Sequence, residues 1–494
     1  MRPALSVGCL YSQGREHDHR LKSATRYIVA IRNVVDASDT PLAPSPAFRA
    51  LRDDTPSDER SVELRRTLYA DIFERLAGAG VERENLQLAW DFTVASDENN
   101  TRWMLSMSDQ ALAAVGSDGP AYVLDNVQVD PDANVAVRIE GRMTVPLFLD
   151  QPGPGGALLL DDHGLPLQQG SAEYPFLIIV PKSAELTSAA PLQIGHGLLG
   201  SRDQAGSFAP FANQRGYLLV ATDLVGMSSD DLGHIVSIIS SKNIGGFKTV
   251  ADRLQQGLLN ALLAMRMTTG RLSRDPALTF NGRSAVDPDE RYYLGGSQGG
   301  IFGASYVALS TDVTRGILGV PGQPYNLLLN RSVDFDPYFE IMRGSFPDPI
   351  DLQIVLGLSQ MLWDRAEPTG YSLHIEDPLP GTPPHRVLMQ VAIGDHQVTT
   401  LGAHIMARAI GAKSMQPAPR PIFGVAEATA PYEGSAMVEY DFGLPDEPIT
   451  NVPMREGEDP HGMVKNVPAS AEQVDTFLRT GVVQWFCDGA CDPN

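Results

Sequence analysis

Only three cysteines occur among the 494 residues of this sequence. Two of them, Cys487 and Cys491, lie in the segment "FCDGACDPN", where they are close enough to form a small disulfide loop. A metal or redox pair is the alternative, but the segment lacks the further cysteine or histidine partners that such a site needs. Disulfides persist in oxidising compartments, so this pair predicts a protein that is secreted or held in the cell envelope.

The third cysteine, Cys9, lies in "LSVGC", which is faintly similar to a lipoprotein processing site. Ser6 stands where such sites usually carry leucine, and no apolar segment of the kind found in signal peptides precedes it. A chance resemblance is therefore favoured. If the protein is exported, we expect that its native N-terminal signal is missing from this chain.

The sequence also lacks an excess of basic residues and any long apolar run. Its 38 lysines and arginines are outnumbered by 60 aspartates and glutamates, which gives a formal charge of −22 at pH 7. This charge argues against binding to nucleic acid or to anionic lipid, because both are themselves negative. No apolar run approaches about 18 residues, so we expect no integral membrane segment.

The first 150 residues predict a mixed α+β region. "TRYIVAIRNV" and "LQLAWDFTV" are typical of strands, and the second alternates apolar residues on one expected buried face, namely Leu86, Leu88, Trp90 and Phe92. "ERSVELRRTLYADIFERLAGAG" predicts one amphipathic helix with an apolar stripe of Leu64, Leu68, Ile72 and Leu76. "AYVLDNVQV" and "NVAVRIEGRMTV" predict an antiparallel pair around the turn "DPDAN".

A Gly/Pro-rich stretch near residues 150–172 marks a boundary or a long surface hairpin. Beyond it, short strands that are apolar on both faces alternate with helices, which predicts a mostly parallel sheet covered by helices on both faces. We assign residues 173–320 and 385–486 to this α/β domain, 321–384 to an inserted cap, and 487–494 to a C-terminal tail.

The stretch "RYYLGGSQGG" places Ser297 in a G-x-S-x-G pattern directly after a predicted strand and directly before a predicted helix. In such an elbow the serine has a strained backbone, and its neighbours must be small so that strand and helix can approach. The small residues here are Gly295, Gly296, Gly299, Gly300, Gly303 and Ala304. The alternative is a tight turn whose serine caps the helix, but a cap does not require glycine on both sides.

A nucleophilic serine needs a base, and in this arrangement an acid and then a histidine follow it in the chain. Asp395 comes just after the apolar strand "RVLMQVAIGD", so it is the predicted acid, with an N-cap as its alternative role and with Asp364 and Asp377 as weaker rivals. His461 follows the last predicted strand and is the predicted base. The other histidines considered lie elsewhere, beside the acid, in a helix or in the insertion: His396, His404, His374 and His385.

An ester-cleaving site also needs two backbone N–H donors for the oxyanion. The amide of Gln298 follows the nucleophile and opens a helix, and the amide of Leu198 lies in the loop "HGLLGS" after an earlier strand. These two amides are the predicted oxyanion hole. His196 precedes Ser297, the wrong order for a catalytic base, so we expect it to bond loop backbone.

Residues 175–486 resemble the α/β-hydrolase superfamily: "HGLLGS" is similar to the oxyanion segment of ester-cleaving lipases, and "GGSQGG" to the elbow of bacterial esterases. The whole chain more loosely resembles large secreted bacterial lipases of the virulence-factor type. The resemblance implies the α/β-hydrolase fold and hydrolysis of carboxylic esters through an acyl-enzyme, with no metal or organic cofactor.

These features predict a serine ester hydrolase acting on an uncharged or apolar acyl ester, whether a small molecule, a lipid or a polyester. An acyltransferase of the same fold and a non-catalytic binding protein are the alternatives, and a peptidase is disfavoured. The aromatic-rich insertion 321–384 is either a lid lining an acyl pocket or a packed subdomain. The loop 225–247, with its apolar "IVSII", is expected to border the same cleft.

Overall fold

A computed structural model of the protein describes residues 21–493. Cys9 and the segment around it lie outside these residues. The chain divides between Asn99 and Asn100 into two compact units.

The smaller unit is a two-stranded sheet packed against helices. Its elements in chain order are β1 (Arg26–Arg32), α1 (Pro46–Arg52), α2 (Arg60–Glu63), α3 (Arg66–Gly78) and β2 (Leu86–Thr93). β1 and β2 pair antiparallel. The single helix predicted over "ERSVELRRTLYADIFERLAGAG" is therefore wrong, because the α-helical hydrogen-bond pattern is interrupted between α2 and α3, where Arg65 N donates to Val62 O, although Leu64 and Arg65 keep helical dihedral angles. Leu64 and Leu68 are exposed as a result, while Ile72 and Leu76 are buried against Phe48.

The buried face predicted for β2 is also largely wrong. Ala89 is fully buried, whereas Leu88, Trp90 and Phe92 are each about two-fifths exposed within the described residues. Only Leu86 of the predicted face is buried, and the pairing with β1 shifts register at Ile31/Arg32 beside it. A one-residue shift moves a side chain to the opposite face of a sheet. The alternation of large side chains in the sequence does not reveal this register shift.

The larger unit alternates strands and helices. Its helices are α4 (Asp97–Val115), α5 (Ala209–Arg215), α6 (Leu232–Ser240), α7 (Lys248–Thr269), α8 (Gln298–Leu309), α9 (Tyr325–Asn330), α10 (Asp336–Ser345), α11 (Pro349–Trp363), α12 (Thr400–Ile410) and α13 (Pro468–Thr480). Its strands are β3 (Ala121–Val129), β4 (Val135–Pro146), β5 (Ser171–Pro181), β6 (Ala190–Gly195), β7 (Tyr217–Thr222), β8 (Thr279–Phe280), β9 (Arg283–Ser284), β10 (Tyr292–Gly296), β11 (Arg315–Gly319), β12 (Arg386–Ala392), β13 (Lys413–Gln416), β14 (Glu427–Thr429), β15 (Tyr432–Glu433), β16 (Ala436–Tyr440) and β17 (Val482–Val483).

Within residues 21–493, eleven of these strands form one sheet in the order β14-β13-β16-β12-β11-β10-β6-β7-β5-β4-β3. The pairs from β7 to β14 are parallel, while β5 is antiparallel to both β7 and β4. The run from β4 to β16, with β7 inserted between β5 and β6, is the strand order of the α/β-hydrolase fold. The predicted fold class is confirmed.

Apolar side chains cover both faces of this sheet. Ile178 of β5 packs into one buried cluster, while its neighbours Leu177 and Ile179 pack into another. This arrangement explains the continuous apolar strands, since each residue meets a helical layer whichever way it points. In the described part of the chain, no helix combines the length and apolarity that crossing a membrane requires.

The N-terminal region predicted over residues 1–150 differs from the units in the structure, which separate at Asn99/Asn100. The hairpin of β3 and β4 pairs antiparallel as expected, but β4 also pairs along its length with β5, which makes both strands part of the main sheet. The insertion 321–384 carries α9, α10 and α11 between β11 and β12. In the tail, Cys487 and Cys491 are bonded, with their Cα atoms 5.2 Å apart.

Candidate active site

Ser297 occupies the single residue between β10 and α8, with φ 58° and ψ −127°. Residues with a Cβ rarely adopt this conformation, because the side chain then crowds the backbone. Two hydrogen bonds hold it there: the N–H of Ser297 donates to Gly319 O at 3.0 Å, and its carbonyl accepts from Ile301 N at 2.9 Å. The serine side chain therefore stands at the carboxyl end of the parallel strands.

Glycines allow strand and helix to meet closely around this serine. A Cβ added at Gly299 would lie 2.2 Å from Gly195 O, one added at Gly295 would lie 2.3 Å from Gly299 O, and one added at Gly300 would lie 2.3 Å from Gly319 O. Gly296 differs from the expectation, because a Cβ there would meet no atom within 4 Å. Close packing therefore does not require glycine at position 296.

Asp395 and His461 lie together although 66 residues separate them in the chain. His461 Nδ1 is 2.7 Å from Asp395 Oδ2, and the side chain of Asp395 is almost fully buried. The other oxygen, Oδ1, accepts hydrogen bonds from the backbone N–H groups of Gln397 and Val398, both at 2.8 Å. The carboxylate thus shapes the turn after β12 and holds the imidazole at the same time.

Three carboxylates surround His461. Burial opposes its charged form, but attraction to Asp395, the hydrogen bond to Asp395, and attraction to Asp459 and Asp334 outweigh it and raise the pKa of His461 above its ordinary value of 6.5. Asp459 Oδ1 also accepts from the backbone N–H of His461 at 3.1 Å, which fixes the short turn Pro460–Gly462. Acidic groups therefore fix the position of the predicted base and raise its pKa.

The loop after β6 approaches the serine closely. A Cβ added at Gly197 would lie 4.0 Å from the Cβ of Ser297. Gly200 N donates to Gly197 O, so Leu198 occupies the first central position of a turn and Leu199, with φ 45°, the second. The amide side chain of Gln298 holds this turn, since Leu199 N donates to its Oε1 at 3.3 Å and its Nε2 donates to Met227 O at 2.9 Å.

His196 is confirmed as a group that bonds loop backbone. Its Nε2 accepts from Leu224 N at 2.8 Å, so its Nδ1 carries the proton that it shares with Gly197 O at 2.9 Å. Burial lowers the pKa of His196, which agrees with a neutral ring. His396 points away from the acid, with Nε2 3.4 Å from Glu456 O, and His404 Nε2 contacts Glu439 at 2.7 Å.

One polar pocket brings the predicted residues together. Its lining includes Ser297, His461 and Leu198, with Gly197 and Leu199 from the same loop. Gln298 lies beside it at the N-terminus of α8, where helical N–H groups have no partner within the helix. The rival acids lie apart from His461: Asp364 accepts a hydrogen bond from Gln360 at 2.8 Å, and the carbonyl of Asp377 faces His374.

A second, apolar pocket shares Leu198, Leu199 and Tyr338 with the polar one. The loop 225–247 borders it, as expected, through Met227, Ile235, Ile239, Ile244 and Phe247. The insertion contributes most of the remaining wall, including Tyr325, Phe335, Phe339, Val355, Leu356 and Trp363. Met342, Leu352 and Leu356 of the insertion form a buried cluster with Ile239 of α6, so the insertion lines the pocket and also packs against the loop 225–247.

Three polar residues at this site were not identified from the sequence. Asp334 and Gln397 line the polar pocket, and Asp459 bonds both Gln397 and the backbone of His461. Asp459 stands two residues before the predicted base, in "EDPHG", a spacing typical of a side chain that caps a turn. Nothing in the local sequence distinguishes Asp334, which reaches the site only because of how the insertion folds.

No protein-family model matches this chain, and no curated protein matches it at a significant level. Among solved structures, acetyl xylan esterase 1 from Thermoanaerobacterium sp. JW/SL YS485 is similar at 15% identity and a TM-score of 0.39, over 71% of this chain and 90% of that one. An acetyl xylan esterase from Paenibacillus sp. R4 is similar at 14% identity and a TM-score of 0.41, over 77% and 94%. The fold is assigned from the chain's own strand order.

The strained backbone of Ser297 leads to a prediction about the stability of two variants at this position. Replacing Ser297 by glycine removes the Cβ that makes φ 58° costly, so we expect Ser297→Gly to raise the free energy of unfolding by about 1 kcal/mol relative to Ser297→Ala. Alanine is the matched control, because it removes the same hydroxyl but keeps the Cβ. Thermal and denaturant unfolding of the two variants measure the difference, and equal stabilities would show that the strain is no larger than the entropic cost of glycine, about 0.4–1 kcal/mol.

Proposed function

We propose that the protein is a serine carboxylic-ester hydrolase in which Ser297 is the nucleophile, His461 the base and Asp395 the acid. One observation carries the proposal: a serine in a strained elbow shares a pocket with a histidine whose Nδ1 lies 2.7 Å from a buried carboxylate. A helix cap or a simple turn requires none of these features.

In the proposed reaction His461 Nε2 accepts the proton of the Ser297 hydroxyl as its oxygen attacks the ester carbonyl carbon. Asp395 keeps the proton of the neutral ring on Nδ1, which leaves Nε2 free, and it stabilises the imidazolium that forms. The ester C–O bond then breaks, and His461 donates the proton to the departing alcohol oxygen. Water, activated by the same histidine, releases the acid from the acyl-enzyme.

The proposed oxyanion hole consists of the amides of Leu198 and Gln298. The hydrogen bonds of the Gln298 side chain to Leu199 N and Met227 O support it, because they fix the loop against the elbow before substrate binds. Donors held in advance stabilise developing charge without the cost of reorganisation.

The proposed acyl group is apolar and lies in the apolar pocket, which is lined mainly by hydrophobic and aromatic side chains, as is typical of small-ligand sites. Much of its wall comes from the insertion 321–384, which we propose acts as a cap over the catalytic domain. The disulfide between Cys487 and Cys491 supports the further proposal that the protein functions outside the cytosol.

The first prediction for this function concerns the nucleophile. We expect the native protein to hydrolyse p-nitrophenyl esters and Ser297→Ala to lower kcat/KM by about four orders of magnitude or more, because the members of such a site act as a unit. Ser237→Ala, at an exposed position of α6, is the control and should retain full activity. A fluorophosphonate should label Ser297 alone, as read by peptide mass spectrometry.

Two results would contradict that assignment. Equal turnover by the native protein and Ser297→Ala would remove the serine from the chemistry, and absence of both turnover and labelling would favour a binding protein. If added alcohols divert most of the acyl group into new esters, the activity is acyl transfer and not hydrolysis.

The second prediction concerns pH. Catalysis needs neutral His461, and its pKa is raised, so kcat/KM should fall on acidification with an apparent pKa above 6.5. Asp459→Asn removes one of the charges that favour the imidazolium, so it should shift this apparent pKa downward while retaining activity at pH 8. A profile that is flat from pH 5 to 8 would exclude His461 as the base.

The third prediction concerns acyl length. Val355 lines the apolar pocket and adjacent Ile354 points to solvent on the same helix, with 53% exposure. Val355→Trp should fill part of the pocket and reduce kcat/KM for octanoyl esters by about tenfold relative to acetyl esters, since each buried methylene contributes about 0.8 kcal/mol. Ile354→Trp is the matched control, and equal length profiles for both variants would place the acyl group elsewhere.

A further inference from the structure

The polar pocket at Ser297 and the apolar pocket that adjoins it differ sharply in chemistry, and, given the proposed function, this difference distinguishes the two halves of the ester. The apolar pocket contains neither Asp334 nor Gln397, whereas the polar pocket contains both together with His461. The histidine must reach the oxygen of the departing alcohol in order to protonate it. The alcohol portion therefore lies on the His461 side, in the polar pocket, and the acyl portion extends into the apolar one.

The side chains that Asp334 and Gln397 present to this pocket are hydrogen-bond acceptors. Gln397 Nε2 donates to Asp459 Oδ2 at 2.8 Å, and because a carboxylate only accepts, this bond fixes which end of the amide is the nitrogen. Its Oε1 has no partner within residues 21–493. The carboxylate of Asp334 likewise has no hydrogen-bond or ion-pair partner among the described residues. Both groups are partly buried, so a ligand that supplies donors gains from pairing them.

The charge at this pocket limits what the alcohol portion can be. Within the described residues no lysine or arginine lines either pocket, while Asp334, Asp395 and Asp459 all act on His461. An alcohol that carries a phosphate or carboxylate would meet uncompensated negative charge here. Tyr338 lies beside Asp334 and adds a hydroxyl at the junction of the two pockets.

We propose that the substrate is an ester of an apolar acid with an alcohol that carries free hydroxyl groups, and that Asp334 and Gln397 bind those hydroxyls. Asp334 is thus a specificity-determining residue for the leaving group. A plain alkyl alcohol leaves both acceptors unpaired after water is displaced, which weakens its binding relative to a polyol.

The test compares three esters of octanoic acid that differ only in the alcohol: the ethyl ester, the glycerol monoester and the choline ester. The native enzyme should favour the glycerol ester over the ethyl ester by about tenfold or more in kcat/KM. Asp334→Ala should lower this preference several-fold, with the remainder due to Gln397, and Asp334→Asn, which keeps an acceptor oxygen, should lower it less. Asp336→Ala is the matched control, because Asp336 pairs with Arg455 and does not line the pocket.

The ratio of kcat/KM for two esters, measured in the same variant, is independent of any effect of Asp334 on His461, because that effect changes both values equally. An unchanged ratio in Asp334→Ala and Asp334→Asn, with p-nitrophenyl octanoate still hydrolysed, overturns this inference and leaves the proposed function standing. A preference for the choline ester also overturns it, since the carboxylate would then be a cation site. Failure to hydrolyse any ester, p-nitrophenyl octanoate included, overturns the proposed function and this inference with it.

Discussion

The structure depends on the close approach of β6, β10 and α8 around Ser297. The contact of Gly299 with Gly195 O leaves no room for a Cβ, and Tyr293 donates its hydroxyl hydrogen to Gly299 O from below at 2.6 Å. This packing forces the chain to turn within one residue, so Ser297 adopts φ 58°. The local strain is maintained by contacts of the surrounding sheet and helix, and its effect is to expose a hydroxyl at the end of the sheet.

Parallel pairing then explains how distant residues reach this hydroxyl. β6, β10, β12 and β16 all run in the same direction, and Leu198, Ser297, Asp395 and His461 each follow the carboxyl end of one of them. Loops that leave the same edge of a sheet converge there. Acidic residues complete the arrangement: Asp395 and Asp459 both accept hydrogen bonds from loop backbone and raise the pKa of His461, so the same carboxylates fix the loops and act on the histidine.

The insertion between β11 and β12 contributes residues to both pockets. One face of α11 packs toward the apolar pocket through Val355, Leu356 and Trp363, while Asp334, just before α10, reaches the polar pocket. A single inserted segment therefore contacts both sides of the bond that we propose is cleaved. The division between apolar and acceptor-rich walls is the basis for the substrate that we propose, and much of it arises from a region that forms no strand of the main sheet.

The sequence by itself determined the sheet class, the elbow at Ser297 and the chain order of Asp395 and His461, because these follow from apolar periodicity, glycine spacing and strand ends, which are local properties. It did not determine the buried face of β2, where the large side chains of Trp90 and Phe92 alternate plausibly but the register shift beside Leu86 places small Ala89 inside. The sequence also did not indicate that Asp334 lines the polar pocket, or that the side-chain amide of Gln298 bonds to Leu199 N and Met227 O. Nor did it indicate that β3 and β4 belong to the main sheet. Those features were decided only by tertiary structure, since each depends on pairing between segments far apart in the chain, which no local pattern encodes.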